Sequence, residues 1–223
     1  GGILGGIDIP HVYFPSLVEQ LFTAALLVKG DVAARLLHLS LAAVGAVSLY
    51  GFLARHQGPG AGWLGLALLA SATSLLTLAT EAYVEWGLLT FGFLAFWALH
   101  ESIERENRRW LILSGCCAGL ALGVKYTGVF LVAPLGLLLL WHAAHPGAAQ
   151  GRRAFPDWAH VALWCGVVAV VASPWYLKNL VLTGNPVYPF LFGGWNWDAW
   201  KAQWFSRPGT GLVTEPGRLL AAP

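Results

Sequence analysis

The chain has 223 residues, 57% of them hydrophobic and only 11% charged, against roughly 45–50% and 25% in a soluble domain; this excludes an ordinary cytosolic enzyme. The 13 Lys and Arg against 11 Asp and Glu leave a net charge of +2, which excludes the basic surface that nucleic-acid recognition needs. With a mean hydropathy of +0.62 and runs near the ~20 apolar residues that cross a bilayer core, the composition predicts an integral membrane protein. The chain contains no Met and begins Gly1-Gly2, which reads as an internal piece of a longer reading frame, and no signal-peptide pattern opens it. Cys116, Cys117 and Cys165 lie in apolar runs without metal-ligand or redox spacing and read as small packing residues.

In chain order, Asp8 sits in a glycine-rich entry, where a catalytic carboxylate and a turn aspartate are both open. Ser16 to Val28 reads as an apolar helix of about 20 Å, shorter than a hydrocarbon core of about 30 Å, and so as a juxtamembrane helix lying along one face. Six spans follow, at residues 32–54, 61–80, 82–99, 110–124, 128–141 and 158–177. The expected fold class is an all-α membrane protein, a polytopic transmembrane helix bundle of about six spans plus the short helix. Its expected domains are a bundle at 1–177 and an extracytoplasmic loop at 178–223.

Arg55, then Arg105, Arg108 and Arg109, then Arg152 and Arg153 occupy three alternate connections, which places that side in the cytoplasm. Glu101, Glu104 and Glu106 beside them carry little weight in this rule. The connections with Lys29, residues 80–86 and Lys125, and the tail from Ser173, then face outward. Trp63, Trp97, Trp110, Trp141 and Trp158 fall near inner span ends and Trp86 and Trp175 near outer ones, as two aromatic belts. Trp197, Trp200 and Trp204 recur at helical spacing and predict a short interfacial helix in the tail.

Polar residues at membrane depth are costly and point to function. Glu81 and Glu85 lie four residues apart between two spans and share a helix face; they line a polar cavity, or Glu81 is an exposed charge favoured by the helix dipole. Glu19 is a carboxylate in the short apolar helix and faces water or a site. Gly115, Gly119 and Gly123 repeat every fourth residue ahead of Lys125 and Tyr126, a stripe that permits close helix approach. Lys125 either snorkels to headgroups or binds an anion, for which phosphate is the natural partner. Pro174 and the Gly184-Asn185-Pro186 turn frame Lys178 and Asn179, where headgroup anchoring and phosphate contact are both open. His142 and His145 read as a solvated loop without a third metal ligand. GxSxG, HExxH and phosphate-cradling glycine loops are absent from the sequence.

Four segments together resemble the GT-C membrane glycosyltransferases, in the glycosyltransferase family 39-like branch similar to protein O-mannosyltransferases and the lipid A aminoarabinose transferase. They are Phe14-Pro15 to Glu19 with Gly30 to His38, Ala82 to Glu85, Gly119 to Lys125, and Pro174-Trp175 through Pro189. The resemblance implies a polyprenyl-phosphate sugar donor, a glycan, lipid or protein acceptor, and inverting transfer on the extracytoplasmic face of the inner or plasma membrane. It makes Glu85, Glu81 and Asp8 the catalytic candidates, and Lys125, Tyr126, Lys178, Asn179 and Glu19 the substrate-binding ones. It assigns no metal ligand or fixed cofactor and leaves a divalent cation open. In such enzymes the principal Asp follows a first span, so the expectation is a fragment lacking that span and the C-terminal part. A polyprenyl-phosphate carrier or flippase, and a non-catalytic membrane subunit, are the competing readings.

Overall fold

The computed structural model describes residues 10–81, 83–145 and 155–190. The described residues form seven α-helices and two 3-10 helices without a strand, an all-α architecture. In order they are α1 (Leu17–Gln57), α2 (Pro59–Ser71), α3 (Thr73–Thr80), α4 (Glu85–Glu104), α5 (Arg108–Val124), α6 (Val129–Ala144) and α7 (Trp158–Thr183). The 3-10 helices, Pro10–Tyr13 and Tyr126–Gly128, precede α1 and α6. The Trp197–Trp204 segment lies outside the described residues.

Helix α1 is two arms joined at Lys29 and Gly30, where the backbone leaves the helical region and Gly30 adopts φ 68°, a conformation open to glycine. The arms fold back on each other. Phe22 and His38 bring their rings within 5.9 Å, whereas an unbroken helix would separate residues so spaced by ~24 Å. The 17–28 arm is thus the short helix expected from the sequence, and it packs Val18 and Phe22 against Ala34 and Val124.

Gly58, at φ 94°, ends the second arm, and Pro59 opens α2, the arrangement in which proline's missing N–H costs nothing. The run expected as one span over 61–80 bends by 76° between α2 and α3. At the bend Trp86, which is only 5% exposed, donates its indole N–H to the Leu75 carbonyl at 2.9 Å and clusters with Leu69, Leu75 and Leu78. Trp86 is therefore a core residue and not part of an outer aromatic belt. Trp63, Trp141 and Trp158 are largely exposed.

Three helices are long and apolar enough to cross a membrane, or four if α2 and α3 count as one bent span, against the six that the sequence predicts. The remaining two differ for separate reasons. Helix α4 carries Glu85, His100 and Glu101 within its 20 residues, and α5 has only 17. Helix α7 runs through Pro174 to Thr183 and ends on left-handed Gly184, so Lys178 and Asn179 are helical.

The glycine stripe is a contact surface between α5 and α7. A methyl group added at Gly115 would lie 3.0 Å from Val167, one at Gly119 2.6 Å from Val171, and one at Gly123 2.7 Å from the Trp175 indole. Each step of four on α5 meets a step of four on α7. Ser114 donates to the Ala95 carbonyl at 2.8 Å and accepts from Trp164 at 3.0 Å, which ties α4, α5 and α7 across a core containing Leu99, Leu111 and Leu139.

Charge gathers at both ends of the helices. At one end Glu101, whose side chain is 3% exposed, receives Arg55 at 3.3 Å and Arg105, with His56 at 3.6 Å and the Trp97 indole at 3.2 Å. Read from sequence as a loop charge, Glu101 instead clamps the end of α1 to α4. At the other end lie Asp31, Arg35, Glu81, Glu85 and Lys125.

Candidate active site

Glu85 is the first residue of α4, where the positive end of the helix dipole favours a carboxylate. Its Oε2 accepts the Val84 N–H at 3.0 Å, and its Oε1 stands 3.4 Å from Lys125 Nζ. Lys125 reaches this point because α5 stops at Val124 and Lys125 itself is extended, at φ −160° and ψ 148°. Forty positions apart in sequence, the two meet because α4 and α5 pack antiparallel. Glu19 lies within electrostatic reach of both, brought there by the fold-back of the 17–28 arm. The three form a partly exposed cluster of two carboxylates and one ammonium.

Glu81 belongs to a neighbouring group. Arg35 Nη1 lies 3.8 Å from Glu81, and Arg35 Nε 3.9 Å from Asp31. Sequence reasoning did not single out Arg35 as a site residue. Its signal was the Asp31–Arg35 spacing of four, which pairs charges along a helix.

The remaining candidates form a third group. Tyr126 donates its hydroxyl to the Tyr188 carbonyl at 2.9 Å and accepts from Asn179 Nδ2 at 2.7 Å. Asn179 is fully buried and also points Nδ2 at the Pro186 carbonyl, 3.4 Å away. Lys178 Nζ lies 3.4 Å from the carbonyls of Val12 and Phe14 and 5.7 Å from the centre of the Trp175 ring. Tyr126 and Asn179 therefore join α7 to the turn after it, while Lys178 holds the entry to α1. Asp8 lies outside the described residues.

Among the described residues no three His, Cys, Asp or Glu side chains gather as a metal-binding group. An apolar groove of about 320 Å³ is lined by Leu39 and Ala43 of α1, Leu66 of α2, Leu76 of α3 and Trp86 of α4.

Residues 13–177 match the dolichyl-phosphate-mannose-protein mannosyltransferase family. The chain belongs to that family. Membership makes it a membrane glycosyltransferase sequence of the GT-C type. No curated protein matches the chain, and no solved structure does. The mannosyltransferase-family match takes in Glu19, Glu81, Glu85, Lys125 and Tyr126 and stops one residue before Lys178.

Proposed function

We propose that the complete protein transfers a sugar from a polyprenyl-phosphate donor to an acceptor hydroxyl at the extracytoplasmic face, with inversion at the anomeric carbon, and that Glu85 and Lys125 lie at its reaction centre. The observation that supports this is the Glu85–Lys125 pair at 3.4 Å, a base and a cation side by side in a chain of this family.

In the step, the acceptor oxygen bonds to the anomeric carbon while its proton passes to the Glu85 carboxylate. The bond from that carbon to the phosphate oxygen breaks, and its electron pair leaves with the polyprenyl phosphate. Lys125 has three N–H bonds and directs one toward Glu85, so two remain for the phosphate, where they offset the charge that develops on departure. In this reading Glu19, within electrostatic reach of both, orients Lys125 or a sugar hydroxyl. The apolar groove that Trp86 helps to line suits the first isoprene units of the donor.

The test is transfer of radiolabelled sugar from a panel of polyprenyl-phosphate donors in membranes carrying the complete protein or its Glu85→Gln variant. Transfer that falls ~10²–10⁴-fold in the variant is expected. Equal transfer by both removes Glu85 from the centre, and labelled lipid that binds without transfer turns the reading toward a carrier.

A further inference from the structure

Asn179 is fully buried on α7, and its neighbours are other parts of the chain. Its Nδ2 donates to the Tyr126 hydroxyl at 2.7 Å and lies 3.4 Å from the Pro186 carbonyl. Its Oδ1 has no hydrogen-bond partner among the described residues. A buried acceptor left unpaired is costly, and a leucine would fill the same space without that cost. Packing alone therefore does not call for an amide here, whereas the bond to Tyr126 does.

Tyr126 follows Lys125 directly, and neighbouring Cα atoms stand ~3.8 Å apart, so a displacement of one carries the other. The turn they share is tight. The Lys125 carbonyl accepts the Gly128 N–H at 2.9 Å, and a methyl group added at Gly128 would lie 2.6 Å from the Ala121 carbonyl of α5. Helix α7 also holds the residues ahead of Lys125. Tyr176 points its hydroxyl at the Leu122 carbonyl, 3.4 Å away, and the Trp175 indole lies against Gly123. Trp175, Tyr176 and Asn179, three and four apart, share one helix face. A single turn of α7 thus grips the chain on both sides of Lys125. The contact that this grip serves is sensitive, because the 3.4 Å from Lys125 Nζ to Glu85 is at the long end of a hydrogen bond.

We propose that Asn179 is a positioning residue for Lys125: through the Tyr126 hydroxyl it sets where the Lys125 ammonium stands between Glu85 and the donor phosphate. This rests on the glycosyltransferase reading above, and the experiment separates the two. Equilibrium binding of radiolabelled polyprenyl-phosphate sugars is measured on the complete protein and on its Asn179→Leu, Tyr126→Phe and Lys125→Ala variants. Each of the first two changes is also combined with Lys125→Ala, and amide hydrogen exchange is followed across residues 122–128. Asn179→Leu and Tyr126→Phe are each expected to weaken donor binding ~3–10-fold, the range of one hydrogen bond, and to raise exchange across 122–128. In the Lys125→Ala background neither change weakens binding further by more than about twofold, since residues that act through one another are not additive. A merely structural role gives the same loss with and without the Lys125 ammonium, and that result overturns the proposal, as does wild-type binding in both single variants. If Asn179→Leu does not accumulate in the membrane, Tyr126→Phe decides by the same comparison, because it keeps the ring that packs on Phe14 and Phe190 at 5.3 and 5.5 Å. Wild-type protein that binds donor but transfers no sugar overturns the glycosyltransferase reading and leaves the binding comparison to decide on Asn179. If it binds no donor, exchange alone decides: a rise in both variants supports the grip on Lys125, and unchanged exchange overturns it.

Discussion

At the scale of residues, the charged groups divide by what surrounds them. Lys125 is 43% exposed and its partner Glu85 33%, so their mutual attraction is screened and contributes little to stability. The pair is costly to lose for function alone. Lys125→Ala is expected to leave expression unchanged and weaken donor binding ~10-fold or more, the value of a hydrogen bond to a charged group, read by equilibrium binding of labelled donor lipid. Glu101 behaves in the opposite way. Its carboxylate is buried while Arg55 and Arg105 are about half exposed, so removing Glu101 frees two arginines into solvent, whereas removing both arginines strands a buried charge. An Arg55→Ala, Arg105→Ala double variant should lose about 3–5 kcal/mol, and Glu101→Gln clearly less, by thermal unfolding in detergent.

Asp157 caps α7. Its Oδ1 accepts the His160 backbone N–H at 3.0 Å, and that bond, with the His160 ring beside it, holds the carboxyl below the usual carboxylate range. The cap is therefore complete above the unfolded value of ~3.9 and is lost as pH falls through the lower folded value. Protection factors for the first turn of α7 should drop below about pH 4 in the wild type and be low at every pH in Asp157→Ala, as hydrogen exchange would show. Glu85, Lys125 and Glu19 were legible in the sequence because charge inside apolar runs is conspicuous. Arg35 was not, since its spacing of four from Asp31 gives no hint that the guanidinium also reaches Glu81.

At the scale of elements, two kinds of glycine do different work. Gly30 has open space where a side chain would stand but sits at φ 68°, so Gly30→Ala costs backbone strain of about 1–3 kcal/mol and loosens the fold-back of the 17–28 arm. Gly119 has ordinary backbone geometry but no room, with Val171 at 2.6 Å and the Val168 carbonyl at 3.0 Å. Gly119→Ala should destabilise by about 1–3 kcal/mol through overpacking, and a second change, Val171→Ala, should recover only part of it because the carbonyl stays in place. Thermal melts of the three variants check both statements. The break at Lys29–Gly30 and the stripe's packing role were readable from sequence spacing. The 76° bend between α2 and α3 was not, because the run over 61–80 is continuously apolar and the Trp86–Leu75 bond beside the bend joins two helices, which no local pattern records.

At the scale of the whole molecule, the fold brings to one end three groups that are scattered in sequence: the carboxylate of the 17–28 arm, the carboxylates after α3, and the ammonium after α5. The sequence pattern identified the helices and the alternation of charge between connections. Of the six predicted spans, three helices, or four with the bent pair, are long and apolar enough to cross a membrane; α4 carries Glu85, His100 and Glu101, and α5 has 17 residues.

The contact between α5 and α7 has a mechanical consequence. Side chains are the compressible layer between packed helices, and along the stripe that layer is missing on one side. These two helices therefore act as a fixed caliper, with Lys125 beyond one tip and Lys178 near the other. Any widening that admits a bulky lipid-linked sugar falls to the hinge at Gly30 and to the link ahead of Glu85. Spin labels across α5 and α7 should keep one separation with and without donor lipid, while a label on the 17–28 arm shifts.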